Sequence, residues 1–200
     1  DQYVRSGSWK VAWHPTVMLG GELYGATLGI VGAGRIGRAM ARRAKGFNMN
    51  ILYTARSAKL EFEKECGAKH VELDDLLRQS DFVSLHVPLT NETKGLINAD
   101  KLALMKKTAY LISNARGPVI DETSLYQALK ENKIAGAALD VFCKEPALPD
   151  NPLFSLKNIV VAPHISSAGV VTREKMSVMV AENIIAALSG NKPKNLLNNI

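Results

Sequence analysis

Apolar residues in this chain come in short runs separated by polar, glycine-bearing or proline-bearing stretches. Short apolar runs bounded by turn signals mark buried strands, and apolar positions three or four apart mark helices. On this basis the first strand lies at Thr27, Leu28, Gly29, Ile30 and Val31, followed by a helix over 35–46 and a second strand over 50–53. A helical stretch through Leu60, Phe62 and Cys66 leads to a short edge strand at His70 and Val71 and a helix over 73–77. The run 81–89 reads as a buried strand ending at a proline, Pro88. Asn98 caps a helix that runs through Leu102 and Met105 to about residue 107, before a strand at 110–113. Asp121 caps a helix through Leu125, Leu129 and Lys130, and 136–141 is a further buried strand. A rigid loop with Pro146, Pro149 and Pro152 precedes a last strand at 158–161. A long helix over 171–188 places Met176, Val180, Ile184 and Leu188 on one stripe and stops at Gly190. Six or seven strands alternating with helices predict a doubly wound α/β domain with a mostly parallel sheet.

The turn after the first strand carries Gly32, Gly34 and Gly37 in G-x-G-x-x-G spacing. Gly32 permits the sharp turn, Gly34 lets a pyrophosphate approach the backbone, and Gly37 lets the helix pack closely on the strand. Phosphates would sit at the helix N-terminus, where free N–H groups and the helix dipole favour negative charge. A glycine-rich turn without a ligand is the competing reading. The preceding strand, the following helix and the second strand favour a Rossmann-type dinucleotide site.

The end of the second strand, Tyr53-Thr54-Ala55-Arg56-Ser57, bears on which dinucleotide is held. A carboxylate here would bind the adenosine ribose hydroxyls and repel a 2′-phosphate. No Asp or Glu occurs between Asn48 and Leu60; Ala55 leaves space, Arg56 supplies a cation, Ser57 a hydroxyl, and Lys59 is nearby. The pattern points to NADP. The alternative is that Arg56 stacks on the adenine or faces water.

Arg116, Asp140, Glu145 and His164 fall at or just beyond the carboxyl ends of predicted strands, on the edge that carries the glycine loop. Ligands of open parallel sheets sit at that edge. An arginine there can grip a carboxylate with its two-pronged guanidinium and polarise an adjoining carbonyl. A histidine is a natural proton donor near neutral pH, and a carboxylate partner fixes its ring. The set Arg116, Glu145 and His164 therefore suits reduction of a 2-oxo acid. The competing readings are a surface ion pair for Arg116 and a structural role for His164. His86, inside its predicted strand, reads as structural.

Composition changes this picture little. Apolar residues make up 46% and charged residues 22%, as in ordinary globular proteins. The net charge is +6, but the basic residues occur at most in pairs, Arg42-Arg43 and Lys106-Lys107, without interleaved aromatics. That argues against nucleic acid and for attraction of an anionic cofactor and substrate. Cys66 and Cys143 have neither CxxC nor Cys/His spacing, so no metal site or disulfide is expected and a reducing, cytoplasmic setting is the default. The chain has no apolar run long enough for a membrane span; from its polar opening no secretory leader is expected, and from its lack of an initial methionine a piece of a longer protein is expected. Trp9 and Trp13 lie in a polar arm over residues 1–26. They pack either on another domain or subunit, or on this domain's own surface.

Several separated motifs together resemble the cofactor-binding domain of the D-isomer-specific 2-hydroxyacid dehydrogenase family. They are the glycine loop, His86-Val87-Pro88-Leu89-Thr90, Asn114-Ala115-Arg116-Gly117, Ala138-Leu139-Asp140-Val141-Phe142, Glu145-Pro146 and Ala162-Pro163-His164-Ile165. The resemblance implies Arg116, Glu145 and His164 as the catalytic set and Asp140 as a nicotinamide contact. It implies cofactor contacts from Gly32, Gly34, Arg35, Ile36, Gly37, Ala55, Arg56, Ser57, Val87, Pro88, Thr93, Asn114, Ala115, Asp140 and His164. Tyr53-Thr54-Ala55-Arg56-Ser57 is most similar to NADPH-preferring glyoxylate and hydroxypyruvate reductases. The expected activity is hydride transfer between NAD(P)H and a small anionic 2-oxo acid, giving the D-2-hydroxy acid, with NADP(H) preferred over NAD(H). Residues 27–190 would form the dinucleotide-binding domain. Residues 1–26 would be an arm at a homodimer contact, and 191–200 would lead back to a substrate domain that this chain lacks. Ser113-Asn114 and Ser166-Ser167-Ala168-Gly169 depart from the usual family residues beside the nicotinamide. An NAD-linked D-lactate or phosphoglycerate dehydrogenase is the alternative within the family, and a nicotinamide-sensing, corepressor-like binding protein is the alternative outside catalysis.

Overall fold

Leu28 and Ile30 point to one face of the first strand and Val31 to the other, and each joins a different apolar cluster. That is the two-residue period of a strand covered on both sides. The computed structural model describes residues 1–197 and builds the same arrangement across a seven-stranded sheet. Its strands are β1 (Thr27–Val31), β2 (Asn50–Thr54), β3 (Lys69–His70), β4 (Phe82–Leu85), β5 (Tyr110–Ser113), β6 (Gly136–Leu139) and β7 (Ile159–Val161). The helices are α1 (Gln2–Arg5), α2 (Arg35–Ala44), α3 (Leu60–Cys66), α4 (Leu73–Gln79), α5 (Ala99–Leu104), α6 (Glu122–Lys130) and α7 (Val170–Leu188). The spatial order is β3-β2-β1-β4-β5-β6-β7, and every pairing is parallel. The doubly wound α/β expectation holds, with a fully rather than mostly parallel sheet.

From β1 the chain winds outward to β2 and β3, then crosses back to β4 on the other side of β1. This reversal leaves a crevice at the carboxyl ends of β1 and β4, the place where such sheets take ligands. One side of the sheet is covered by α2 and α3, with Ala41, Ala44, Phe62 and Cys66 closing over Leu28, Ile30 and Tyr53. The other carries a larger cluster in which Leu76, Leu77, Leu102, Leu125 and Leu129 meet Val83, Leu85 and Leu111. Each such fully buried side chain contributes roughly 1.5–3 kcal/mol.

Several elements are shorter than their apolar runs. β4 stops at Leu85, not near Pro88, because its neighbours β1 and β5 end opposite that residue. The His86 N–H still donates to the Val31 carbonyl (2.7 Å), after which the chain leaves the sheet. His86 is therefore beyond its strand rather than inside it. β6 ends at Leu139 for the same reason, so Asp140 stands just past the strand. α5 stops at Leu104, three residues early, and Asn98 caps it as expected, accepting from the Lys101 N–H (3.0 Å). α2 gives way at Lys45–Phe47 to a tighter turn that Asn48 closes in the left-handed region (φ 56°).

The long helix departs most from a wound-domain helix. None of the side chains of α7 is buried, and Val180 and Leu188 are 59% and 84% exposed. The stripe Met176, Val180, Ile184, Leu188 is present, but among the described residues nothing buries it. Residues 1–26 are likewise open, with Trp9 55% and Trp13 78% exposed, so neither tryptophan is tucked onto the domain. The segment after α7 folds back on it where the Asn195 N–H donates to Asn183 Oδ1 (3.3 Å). The last part of the expected 191–200 connection, residues 198–200, lies outside the described residues.

Candidate active site

The glycine loop is shaped by contacts that only glycine tolerates. Gly32 has φ 104°, and a Cβ there would press on the His86 carbonyl group. A Cβ on Gly37 would overlap the Gly32 carbonyl, so this glycine sets how closely α2 approaches the loop. Gly34 differs: a Cβ added to it meets nothing within 4 Å. It is the N-cap of α2, whose first turn has neither a capping side chain nor an acidic residue. Orphan N–H groups at a helix start need an acceptor, and an anion outside Gly34 would supply it. The residues present thus fit a dinucleotide pyrophosphate. Arg35 and Ile36 are exposed at the same helix start.

A cavity of about 600 Å³ runs from this loop along the carboxyl ends of β1, β2 and β4. Its lining includes Gly32, Gly34, Thr54, Ala55, Arg56, Lys59, His86, Val87 and Pro88. The loop bearing Arg56 and Ser57 is pinned from both ends. The buried Tyr53 hydroxyl accepts the Lys59 N–H (2.6 Å) and donates to Glu63 (2.7 Å). The His70 ring meets the Ala55 carbonyl (3.1 Å). Within the loop, Lys59 Nζ donates to Ser57 Oγ (3.2 Å). The field of Arg56 also reaches Glu92, whose carboxyl is held below its usual range, chiefly by the Thr90 side chain. His86 bonds to Ser84 through Nε2 (2.9 Å), while its Nδ1 is buried without a partner. Burial pushes the His86 pKa down, favouring the neutral ring, which agrees with a structural histidine rather than a proton donor. Thr93 braces its own loop, with Oγ1 donating to the Pro88 carbonyl (2.6 Å) and accepting the Thr90 N–H (2.8 Å).

At the other end of the same edge, His164 Nδ1 meets Glu145 Oε2 at 2.7 Å. Glu145 Oε1 accepts the Phe142 N–H (3.0 Å). That N–H and then His164 outweigh partial burial and hold the Glu145 carboxyl below its usual range, with a smaller contribution from Arg116. His164 has φ 54°, a left-handed conformation uncommon for a non-glycine residue. The pair borders a cavity of about 620 Å³ walled by Phe142, Pro146, Phe154, Val161 and Pro163. Those apolar walls were not legible as site residues. Arg116 is brought within electrostatic reach of Glu145 but does not touch it; its Nη1 donates to the Ala115 carbonyl (2.6 Å). Among the described residues it forms no ion pair within 4 Å, so the surface salt bridge is not the arrangement found. Asn114 is exposed beside it and Ala115 is buried.

Two further residues hold this end together. A Cβ on Gly117 would overlap the Phe142 carbonyl and the Cys143 nitrogen, so only glycine lets the Arg116 loop close on the Glu145 loop. Glu122 accepts the Cys143 N–H, tying α6 to the Glu145 loop. Burial, and then the neighbouring Glu122, push the Cys143 thiol up to about 11, which favours its protonated form. Asp140 is buried, and its carboxylate accepts the N–H groups of Ile165 and Ser166, both at 2.7 Å. Burial acts to raise its pKa; those N–H groups and His164 outweigh it and hold the carboxyl low. Among the described residues no cluster of His, Cys, Asp and Glu is arranged to hold a metal ion, and no helix is long and apolar enough to cross a membrane.

The edge thus pairs a glycine loop that fits a pyrophosphate with a histidine–carboxylate pair, an arrangement compatible with a nicotinamide-dependent dehydrogenase. The family model of the D-isomer specific 2-hydroxyacid dehydrogenase NAD binding domain matches residues 1–166. A glyoxylate reductase of Korarchaeum cryptofilum (strain OPF8) is 58% identical over 198 residues, covering 99% of this chain and 60% of that protein. A solved structure from Thermus thermophilus superposes with a TM-score of 0.91 at 45% identity, covering 98% of this chain and 61% of its own. A glyoxylate reductase structure from Paecilomyes thermophila gives 0.82 at 38% identity, covering 93% and 55%. The chain belongs to the D-isomer-specific 2-hydroxyacid dehydrogenase family, and the domain it contains takes a nicotinamide dinucleotide. It spans about 60% of the length of the curated relatives it matches.

Proposed function

We propose that this chain is the cofactor-binding part of an NADPH-preferring reductase that converts a small 2-oxo acid, glyoxylate or hydroxypyruvate, to the D-2-hydroxy acid. The observation that carries this reading is the His164–Glu145 pair, 2.7 Å apart, on the edge that holds the glycine loop. A bound nicotinamide supplies the hydride. Glu145 stays ionised, fixes the His164 ring through Nδ1 and balances positive charge on it. Nε2 is then the ring nitrogen left to donate a proton to the substrate carbonyl oxygen. Arg116, two-pronged and without an ion pair among the described residues, grips the substrate carboxylate and polarises the carbonyl beside it.

The preference for NADPH rests on Arg56 with the linked Ser57–Lys59 pair around an opening that has no carboxylate on its own loop. An NAD-linked member is the second reading, favoured by Glu92, whose negative charge lies in the field of Arg56 and opposes a 2′-phosphate. The open arm with Trp9 and Trp13 supports a homodimer contact, read by sedimentation of this chain. The test of the function is a chimera in which this chain replaces the matching 60% of the Korarchaeum relative. NADPH-dependent reduction of glyoxylate supports the reading. A folded chimera that binds NADPH but reduces no 2-oxo acid contradicts it and favours a nicotinamide-sensing binding protein.

A further inference from the structure

Two successive backbone N–H groups in the loop after β6 go to two different carboxylates. The Phe142 N–H donates to Glu145 Oε1 (3.0 Å), within its own loop, and the Cys143 N–H donates to Glu122 Oε1, at the start of α6. An acidic residue in the first turn of a helix is ordinarily explained by the helix dipole and the free N–H groups there. In α6 Asp121 takes that part: its Oδ1 accepts the Thr123 and Ser124 N–H groups (3.0 and 3.1 Å). Glu122 turns across to the neighbouring loop instead. Its second oxygen, Oε2, accepts from Asn151 Nδ2 (3.5 Å), and Asn151 Oδ1 accepts the Leu153 N–H (3.0 Å) that opens the turn over Pro152–Ser155. Phe142 and Phe154, one from each segment tied down in this way, meet edge to face with ring centroids 5.5 Å apart, and both wall the cavity beside His164.

We propose that Glu122 is a positioning residue for the Glu145–His164 pair. It occupies the Cys143 N–H, so that Glu145 gives one oxygen to Phe142 and keeps the other, Oε2, for His164 Nδ1. Without Glu122 the Cys143 N–H lacks its acceptor, and the Glu145 carboxylate two residues along is drawn to it and away from His164. Gly117 brings the two loops close enough for this reach, since a Cβ there would overlap the Cys143 nitrogen. Among the described residues Glu122 bonds to neither Glu145 nor His164, so it acts through the loop. The consequence for turnover rests on the reading of His164 as proton donor, whereas the ring geometry stands without it.

The test reads the ring first and turnover second. Nitrogen NMR on this chain, at a pH where the ring is neutral, distinguishes the two tautomers of His164. The wild type is expected to hold the Nδ1–H form, which donates to Glu145. Glu122→Ala removes both acceptor oxygens and is expected to lose that preference. Glu122→Gln keeps one oxygen for the Cys143 N–H and is expected to retain it. NADPH affinity, titrated on the same samples, is expected to change less than about twofold in both, because the glycine loop lies at the other end of the edge. In the chimera with the Korarchaeum relative, Glu122→Ala is expected to lower kcat by roughly tenfold to a hundredfold, and Glu122→Gln to leave it within about twofold. A wild-type ring without the Nδ1–H preference, a Glu122→Ala ring that retains it, or a Glu122→Gln ring that loses it would each overturn the proposal. So would an unchanged kcat in an active Glu122→Ala chimera, or a loss of NADPH affinity of about fivefold or more. A wild-type chimera that reduces no glyoxylate contradicts the proposed function instead, and leaves the ring readouts to decide on Glu122. Should Glu122→Ala not fold, Glu122→Gln and hydrogen exchange on the wild-type chain decide. Corrected for sequence, the Cys143 amide is expected to exchange at least about tenfold more slowly than that of Lys144, and equal rates would overturn the proposal.

Discussion

The two ends of the ligand-bearing edge are built by different means. At the β1–β2 end the groups facing the crevice are mostly backbone: the Gly32 turn, the open Gly34 position and the uncapped start of α2. At the β5–β6–β7 end they are side chains: Arg116 and Glu145, braced by neighbours in their own loops, and His164, which meets Glu145 from another loop. The difference teaches where each property resides. A site made of backbone recognises what every dinucleotide shares, a pyrophosphate, and tolerates few substitutions. A site made of side chains sets the chemistry and can be disabled one residue at a time.

Removing the proposed acid should have the largest effect and separate chemistry at one end from cofactor binding at the other. In the chimera with the Korarchaeum relative, His164→Ala is expected to lower turnover by roughly 10²–10⁴ with NADPH affinity nearly unchanged. Steady-state kinetics with a cofactor titration checks this, and unchanged turnover would take His164 out of the reaction. Gly117→Ala should damage the side-chain end through its backbone. The added Cβ overlaps the Phe142 carbonyl, so the expected cost is about 1–3 kcal/mol in denaturant unfolding, with weaker turnover as the Arg116 and Glu145 loops part. At the backbone end, Arg56→Ala is expected to weaken NADPH binding about tenfold and NADH binding less than twofold, measured by calorimetry. Equal losses for both would mean that Arg56 stacks on the adenine, and NADH-preferring wild type would favour the NAD-linked reading.

The smallest effect concerns the amino-terminal ends of the strands. Asp81 accepts the Thr27 N–H (2.9 Å) and pairs with Lys106 (2.7 Å). Burial acts to raise its pKa, and Lys106 and the Thr27 N–H outweigh this and hold it low. Its folded pKa lies below the unfolded value of about 3.9, so its contribution is present above that pH and is lost as pH falls through the folded value. Asp81→Asn is expected to cost about 1 kcal/mol at neutral pH, with the gap to wild type closing in acid. A gap that widens in acid would contradict this.

Legibility in the sequence follows the same division. The glycine loop was readable because its three glycines stand at fixed spacing between a strand and a helix, although Gly32 packs against His86, far away in sequence. The central strands, β1 and β4 above all, were readable because burial on both faces writes itself as apolar runs, whereas the edge strands β3 and β7 keep exposed residues. Strand ends were read too long at β4 and β6, since a ladder stops where its neighbour stops, while apolar residues go on past Leu85 and Leu139 at Val87, Leu89 and Val141. At the side-chain end, His164 and Glu145 were visible as residue types at strand ends. Gly117, Glu122 and the hold of Asp140 on Ile165 and Ser166 were not, because each acts on a loop far away in sequence. The exposure of α7 was equally hidden, since an apolar stripe reports that a face can be covered but not by what.

The most direct test of the account is a calorimetric titration of this chain and its Gly34→Val variant with NADPH. A Cβ at Gly34 meets nothing within 4 Å and the residue has ordinary extended backbone, so the variant should keep its thermal midpoint within a few degrees. If the bare backbone at Gly34 receives the pyrophosphate, affinity falls by about a hundredfold or more. Equal affinity in the two proteins would place the dinucleotide elsewhere and contradict the assignment of this edge as the cofactor site.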